Sequence, residues 1–338
     1  MQRQAPAGFV FTVGALGSHS LHLLQSGQNI NQLTPSYFSQ GSALTESVPN
    51  PLYGNGGVGS VGRATVTRAQ LLLPFPQYTS VALADADTGT SLYYAFYFRA
   101  ERRFANGLSA LASYTWSRSE DDLTAVNLAG SSQISSPSGP QNAYNLKGEW
   151  GLSTQDVPNR FTTTLTYELP FGKGKPFLKT NGVLDWIVGG WSANAIGAAQ
   201  SGLPLSVIQP NNNSVIGATY QRPNATGVSP ETSGSTVDRL NGYLNPAAFS
   251  QAAPFTFGNV SRFLNVRGPS SFNVDLSVFK TFKFTERVRA QFRAEALNAT
   301  NTPYFANPNT TFGSSQFGLI TSQINNPRLL QLGTRITF

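Results

Sequence analysis

The chain has 338 residues, and only 12% of them are charged, which is about half the share found in an average soluble domain. Its formal net charge of +7 is spread thinly, because no basic run is longer than Arg102-Arg103, and we therefore expect no nucleic-acid partner. The chain contains no cysteine, which excludes a disulfide framework and a thiolate metal site. It also has no apolar run of about eighteen residues, so a helical membrane span is excluded.

Alternation of apolar and polar residues with period two predicts eight principal β-strands, because successive side chains of a strand point to opposite faces. In chain order the strands lie near residues 9–16, 92–103, 108–116, 161–169, 191–200, 272–278, 288–296 and 330–338. Between the second and third strands, Ala105-Asn106-Gly107 is a tight hairpin sequence. The predicted fold class is therefore all-β and antiparallel.

The last three strands are apolar on one face and charged on the other. Five charged residues share the second face, and we expect cross-strand pairing of opposite charges to join them into a ladder: Asp275, Arg289, Arg293, Glu295 and Arg335. Such strands suit a soluble core, or a membrane barrel whose apolar face meets lipid while the charged face lines a wet lumen.

The predicted connections run long, short, long, middling, long, short, long. All the long ones therefore fall at one end of the sheet, at about residues 18–90, 119–159, 202–270 and 300–328. Outer-membrane barrels sort their connections in this way, with long loops outside and short turns in the periplasm. The pattern predicts an antiparallel transmembrane β-barrel, or part of one, in contact with the lipid of the bacterial outer membrane.

Aromatic residues lie near the predicted strand ends. Outer-membrane barrels carry aromatic girdles at their two membrane interfaces, and we predict such positions for Tyr114, Trp116, Tyr167 and Trp191. Ordinary core aromatics are the alternative. The last residue, Phe338, ends an amphipathic strand, and it resembles the C-terminal signal that the barrel assembly machinery reads.

Segments in a characteristic order carry a family resemblance. They include Leu169-Pro-Phe-Gly-Lys-Gly-Lys, Asn273-Val-Asp-Leu-Ser-Val-Phe-Lys and Phe292-Arg-Ala-Glu-Ala-Leu-Asn-Ala-Thr-Asn. With them, the chain resembles the C-terminal barrel region of TonB-dependent receptors, in particular the Oar-like branch, which also bears a carboxypeptidase-regulatory-like domain. The resemblance implies a barrel of about twenty-two strands, filled by an N-terminal plug and driven by the inner-membrane TonB complex.

The chain departs from that family pattern in several ways. Eight strands cannot make such a barrel, no segment resembles a plug or a TonB box, and Met1 to Gly8 contains no apolar core of a signal peptide. We therefore expect residues 1–338 to be a single barrel region, the C-terminal part of a longer receptor. It would bind or import an unknown ligand through its long loops, and it would reach the TonB complex only through the missing N-terminal part.

Two alternatives to the receptor remain open. The first is a complete small barrel acting as an adhesin or a structural protein, since eight strands is a number at which side chains can fill the interior. The second is a secreted, soluble β-sandwich that serves as a binding module.

No motif supports an enzyme, a cofactor or a metal site. Gly57-Val-Gly-Ser-Val-Gly62 has the spacing of a dinucleotide fingerprint but lacks the flanking strand and helix. His19 and His22, the only histidines, have no cysteine to complete a zinc site. The carboxylates of Glu120-Asp121-Asp122 could hold Ca²⁺, but a solvated loop is the simpler interpretation.

Overall fold

The structure is a computed structural model, and it describes residues 1–25, 27–54, 62–84, 86–123, 139–177, 183–218, 220–285 and 287–338. In chain order the strands are β1 (Gln2–Gln4), β2 (Phe9–Gln25), β3 (Gln28–Asn29), β4 (Ser47–Pro49), β5 (Thr65–Thr67), β6 (Ala82–Leu83), β7 (Ala86–Ala105), β8 (Leu108–Asp121), β9 (Gly151–Leu152), β10 (Asn159–Glu168), β11 (Trp191–Gln200), β12 (Asn224–Ala225), β13 (Phe249–Ser250), β14 (Ser271–Lys283), β15 (Arg289–Leu297) and β16 (Leu329–Thr337). The α-helices are α1 (Arg68–Leu72) and α2 (Val183–Val188), and 3₁₀-helices cover Pro6–Gly8, Pro35–Thr45, Leu146–Glu149, Ser214–Ile216 and Pro246–Ala248. No helix in the described ranges is long and apolar enough to cross a membrane.

The main sheet is antiparallel and open. Its strands lie in the order β1, β2, β7, β8, β10, β11, β14, β15, β16, and the short β9 pairs with β8. Apart from β1 and β9, these are the eight predicted strands in their predicted order, which confirms the all-β, antiparallel prediction. In the described part of the chain, β1 pairs with β2 and β16 pairs with β15, and the two edges do not meet. The sheet is therefore a partial barrel.

The turn between β7 and β8 follows directly from its sequence. Ala105 pairs with Leu108, and the two residues between them, Asn106 and Gly107, have φ angles of 51° and 81°. A type I′ hairpin turn needs positive φ at both central positions, which asparagine and glycine tolerate best. A Cβ atom on Gly107 would also lie 3.1 Å from the carbonyl oxygen of Glu168, so this position requires glycine.

Each principal strand has one apolar and one polar face. Residues that pair directly across antiparallel strands share a face, and Leu276 pairs with Ala195 on one side and Ala296 on the other. The same register places a row of large side chains on what we call the apolar face: Phe96, Phe98, Phe161, Leu165, Phe272, Leu276, Phe292 and Leu332. The opposite face, which we call the polar face, carries Thr162, Thr164, Asn194, Asp275, Ser277 and Glu295.

The sheet buries neither of its faces. Among the described residues of the eight principal strands, the buried apolar side chains are Ala86 and Ala95. By contrast, Phe96 is 48% exposed and Leu332 is 72% exposed. A sheet in a soluble domain must bury one face against another layer. An uncovered apolar face is instead what a sheet presents to lipid.

The connections alternate in length as predicted. The described parts of the short and middling ones, within residues 106–107, 169–190 and 284–288, lie at one end of the sheet, and the described parts of the long ones lie at the other. The hairpin of β2 and β7 is longer than the predicted strands, because polar residues continue the pairing: Ser18 pairs with Tyr93, and Ser20 with Ser91. Hydrophobic alternation does not detect such a polar extension.

Candidate functional site

The long connections pack together over one end of the sheet. We call their described parts the loop layer: residues 27–54, 62–84, 122–123, 139–158, 201–218, 220–270 and 298–328. The first connection contacts the second, since Gln32 Nε2 donates to the Gln141 carbonyl at 3.1 Å. It contacts the third through the Leu33 N–H, which donates to the Ile216 carbonyl at 2.8 Å. The third contacts the fourth, where the Phe312 N–H donates to the Ile208 carbonyl at 2.7 Å. The layer is thus one folded unit.

Two apolar clusters form the core of the loop layer. One joins the third and fourth connections and includes Leu205, Val207, Tyr243, Leu244, Phe249, Val266 and Ile320. The other joins the first and third connections and consists of Leu33, Leu44, Ala69, Leu73, Ile216 and Ala218. Because the third connection contributes to both clusters, it is the centre of the layer.

Three arginines of the third connection form ion pairs with carboxylates at the end of β8 (Asp121) or in the second connection (Glu149 and Asp156). Two of these pairs are buried on both sides, and in the third the Arg267 side chain is 22% exposed. Arg262 pairs with Asp121 at 2.5 Å, and the side chains are 1% and 6% exposed. Arg222 pairs with Glu149 at 3.2 Å, and Arg267 pairs with Asp156, whose side chain is 1% exposed. Removing one partner of such a pair leaves a buried charge uncompensated, which typically costs about 3–5 kcal/mol. These pairs hold the third connection in place over the sheet.

Of the three carboxylates, that of Glu149 accepts the most hydrogen bonds. Both of its oxygens accept from the Arg222 guanidinium, each at 3.2 Å. One oxygen also accepts from the Gln141 N–H at 3.1 Å, and the other from the Tyr220 hydroxyl at 3.3 Å. Burial and the neighbouring Glu149 charge raise the pKa of Tyr220 above its ordinary value. Tyr220 therefore stays a neutral donor to this carboxylate.

A cavity of about 460 Å³ opens between the first and third connections. Its described lining consists of Ser47, Arg63, Thr65, Val66, Thr67, Gln70, Leu73, Thr79, Ser214, Val215 and Gly217. Within that lining Arg63 carries the only charge. Hydroxyl groups, an amide and one guanidinium suit a polar ligand that bears negative charge or several acceptor oxygens.

The five residues of the predicted charge ladder share the polar face, but they do not pair with one another. Glu295 lies opposite Ser277 and Gln331, and Arg293 lies opposite Phe279 and Gly333. Among the described ion pairs, none joins any two of Asp275, Arg289, Arg293, Glu295 and Arg335. The expected cross-strand pairing is absent because the strand register offsets the charges. Their place in a barrel lumen stays a prediction.

Two of those charges have other partners. Asp275 accepts a hydrogen bond from the Asn298 N–H at 2.8 Å. Arg293 donates to Gln291 at 2.9 Å, and its guanidinium lies 5.4 Å from the centre of the Phe279 ring.

The four predicted girdle residues lie on the apolar face, at two levels. Trp116 pairs with Asn159 and Tyr114 with Phe161, both toward the loop layer. Tyr167 pairs with Ala193 and Trp191 with Lys280, both toward the short connections. That these levels coincide with the membrane interfaces stays a prediction. The same holds for Phe338 as an assembly signal; this residue follows β16 and is 95% exposed.

The carboxylates considered for Ca²⁺ have other partners. Glu120 pairs with Arg118 at 2.6 Å, and Asp122 accepts from the Thr90 N–H at 2.7 Å, while Asp121 pairs with Arg262. No group of three or more potential metal ligands occurs in the described ranges. Residues 57–61 of the glycine pattern lie outside those ranges.

A comparison with family models decides the class of protein. A model described as "Outer membrane beta barrel domain" matches residues 1–331, almost the whole chain. The chain belongs to this family. This outer-membrane barrel therefore lies in the outer membrane, and the soluble β-sandwich is excluded. A comparison with curated proteins found no match.

Several solved structures are similar to this outer-membrane barrel. FpvA of P. aeruginosa, bound to heterologous pyoverdines, is 12% identical with a TM-score of 0.39, and the match covers 98% of this chain and 25% of that one. YddB, an outer membrane transporter from Escherichia coli, is 8% identical with a TM-score of 0.44, and the match covers 99% of this chain and 31% of that one. FpvAI in complex with pyocin S2 is 12% identical with a TM-score of 0.38, and the match covers 99% of this chain and 25% of that one. The barrel chain spans about a quarter to a third of the length of these proteins.

Sequence reasoning located the long connections of the barrel but missed their internal order. Arg222, Arg262 and Arg267 are isolated arginines in stretches rich in proline, glycine and asparagine, and nothing local distinguishes them from solvated residues. Their carboxylate partners lie at least 73 positions away. The one local sign was the scattered apolar content of the third connection, such as Leu203-Pro-Leu-Ser-Val-Ile.

Proposed function

We propose that this outer-membrane barrel is the C-terminal part of a longer receptor of the TonB-dependent type, and that it binds a ligand through the loop layer. The loop layer is the observation that supports this proposal. In the described ranges, long connections with their own apolar cores and buried ion pairs gather at one end of the sheet, and the short and middling connections lie at the other. Binding residues commonly lie on loops that a rigid scaffold positions. The proposed role is binding or uptake, not catalysis.

The open sheet supports a longer receptor over a complete small barrel. Backbone N–H and C=O groups at the edge of a sheet cannot stay unpaired in lipid. Here β1 and β16 lie at opposite edges, so further strands must pair with them in the membrane. In the proposed receptor these strands come from the same polypeptide, together with the plug and the contact with the TonB complex. We place the receptor in the Oar-like branch on the sequence segments quoted above.

The cavity beside Arg63 is the proposed ligand site. It lies between two connections that also share an apolar cluster, so its walls are fixed by packing. Preformed, concave sites with a few placed polar groups are typical of small-molecule binding. We propose an anionic or acceptor-rich small molecule as the ligand.

The orientation of the barrel can be tested by labelling cysteines, because the natural chain has none. Ser233→Cys places a thiol on an exposed position of the loop layer, and Arg287→Cys places one at an exposed position of the short connection between β14 and β15. A membrane-impermeant maleimide should label the first variant on intact cells. It should label the second only after the outer membrane is permeabilised. The reverse pattern would reject the proposed orientation, and the cysteine-free protein gives the background.

The ligand site can be tested with a matched pair of variants. Arg63→Ser removes the one guanidinium of the cavity lining, whereas Arg68→Ser removes an exposed guanidinium that pairs with Glu46 outside it. The purified proteins are exposed to a metabolite extract of the native source, and bound small molecules are measured by native mass spectrometry. Arg63→Ser should retain roughly tenfold less of the ligand, since hydrogen bonds to charged groups are the strong ones. Equal retention by both variants would contradict the assignment.

A further inference from the structure

A second cavity lies at the end of the sheet with the short connections. Its volume is about 470 Å³, and described residues of the connection, within 169–177 and 183–190, form it together with the adjoining ends of β10, β11 and β14. Its described charged residues are Lys173, Lys175, Lys280, Lys283, Glu168 and Asp185. Four lysines against two carboxylates give the cavity an excess of positive charge. Lys175 Nζ lies 2.7 Å from Glu168 Oε2, and in the described ranges the other three lysines form no ion pair.

Lys280 is the unusual member of this set. It lies on the apolar face, opposite Trp191 and Phe292, and only 3% of it is exposed. Its Nζ donates to the carbonyls of Ile187, at 3.3 Å, and Gly189. The ammonium group also lies over the Trp191 and Phe282 rings, 5.3 Å and 5.2 Å from their centres. This cation is therefore held by dipoles and rings, and the Asp185 carboxylate of the same cavity also attracts it. Its buried charge adds to the positive potential of the cavity.

Exposed apolar side chains flank the cavity. On α2, Leu184 is 59% exposed and Ile187 is 62% exposed. Trp186 of the same helix packs against Phe282 and Phe284, with ring centres 5.9 Å and 5.5 Å apart. Tryptophan beside cations at the end of a lipid-facing sheet is typical of the level at which lipid headgroups lie. A molecule in this cavity would thus meet cations at one end and apolar surface at the other.

We propose that this cavity binds the phosphate of a membrane phospholipid, with the acyl chains lying along α2 and the apolar face. Basic pockets at the membrane surface bind anionic headgroups through this chemistry. Lys173 and Lys283 are exposed residues of the cavity lining that form no ion pair in the described ranges, and Lys280 supplies a fixed charge in its wall. The assignment is independent of ligand uptake by the loop layer, because it uses only the opposite end of the sheet.

The test compares lipid binding by matched variants of the full protein extracted from the outer membrane. Lys173→Gln and Lys283→Gln each remove one charge from the cavity. The control Lys147→Gln removes an exposed charge from the second long connection, at the other end of the sheet. Phosphatidylglycerol and phosphatidylethanolamine are titrated in detergent, and bound lipid is counted by native mass spectrometry. Each cavity variant should bind phosphatidylglycerol about fivefold more weakly, and the control should bind like the natural protein.

Inorganic phosphate and lipopolysaccharide are tested as competing ligands, because both carry phosphate groups that the same cations could bind. If inorganic phosphate displaces phosphatidylglycerol at equal concentration, the site is a free-phosphate site, and the lipid assignment is overturned. Preferential retention of lipopolysaccharide would overturn it too, since it would place this end of the sheet at the outer leaflet. Unchanged phosphatidylglycerol binding by both cavity variants, with heat-modifiable barrel at natural levels, would exclude the cavity altogether.

Discussion

Arg262 and Asp121 form an ion pair at 2.5 Å, although 141 positions separate them in the chain. Asp121 is the last residue of β8, and Arg262 belongs to the third long connection. The same guanidinium donates to the Leu152 carbonyl at 3.2 Å. One buried side chain therefore joins the third connection, the second connection and the end of the sheet.

Replacing Arg262 by methionine should destabilise the loop layer by about 3–5 kcal/mol, because the Asp121 carboxylate would remain buried without its partner. The matched control is Arg68→Met, whose partner Glu46 is 56% exposed on its side chain; exposed pairs contribute about 0–1 kcal/mol. Stability is measured as the denaturant dependence of proteolysis within residues 201–270, with the barrel kept in detergent.

The double variant Arg262→Met/Asp121→Leu should recover part of the loss, since apolar residues of similar volume often replace a buried ion pair without cost. If Arg262→Met were as stable as Arg68→Met, the pair would not hold the layer in place.

The loop layer should lose stability in alkaline solution. Burial and the Glu149 charge raise the pKa of Tyr220 above the value of 10.0 that it has in the unfolded chain. The folded state therefore binds the phenolic proton more tightly, and this contribution is fully present below about pH 10 and is lost as the pH rises further. Tyr220→Phe has no phenol to ionise. This variant should lower the free energy of unfolding of the loop layer by about 1 kcal/mol at neutral pH, because the hydrogen bond to Glu149 is lost. It should then lose less stability than the natural protein when the pH is raised.

The measurement is the proteolysis midpoint at about pH 8 and about pH 11, with Tyr53→Phe as the control because Tyr53 is 60% exposed. Tyr243 is also buried, and burial raises its pKa as well, so part of the alkaline loss should remain in Tyr220→Phe. An identical alkaline loss in Tyr220→Phe and the natural protein would contradict the assignment to Tyr220.

The hairpin of β7 and β8 should depend on Gly107. Valine there would adopt a φ of 81° and approach the Glu168 carbonyl, at a cost of roughly 1–3 kcal/mol. The control is Gly151→Val, where an added Cβ meets no atom within 4 Å. We expect a lower fraction of heat-modifiable barrel for Gly107→Val. Equal fractions in the two variants would show that assembly tolerates this strained turn.

The strands could be predicted from the sequence because their order is local. The alternation from Phe272 to Val278 indicates directly which side chains share a face. In the structure, every residue of β11, Trp191–Gln200, pairs with a residue of β14 in one continuous register. The extension of β2 to Gln25 was not predicted, because its serine and histidine residues break the alternation of apolar and polar side chains. The helix α2 was not predicted, since six residues with a single aromatic, Trp186, do not distinguish a helix from a strand.

The candidate site could not be predicted in the same way, because its order is long-range. Arg222 meets Glu149 and Gln141 only after the second and third connections have folded together, and none of these residues belongs to a local pattern. The same is true of Lys280. In the sequence it interrupts an apolar alternation, and only the fold brings the carbonyls of Ile187 and Gly189 to its ammonium group.

Two adjacent residues of β14 allow a direct test of which face meets lipid. Leu276 lies on the apolar face and is 45% exposed, and Ser277 lies on the polar face opposite Asn194 and Glu295. Leu276→Arg should destabilise the barrel by about 2–4 kcal/mol, the typical cost of arginine on the lipid face near the middle of the membrane. Ser277→Arg should cost little, because the new cation would lie beside Glu295 on the wet side. The free energy of unfolding in lipid vesicles, measured by urea titration, gives both values. A larger loss for Ser277→Arg than for Leu276→Arg would mean that the polar face is the one against lipid.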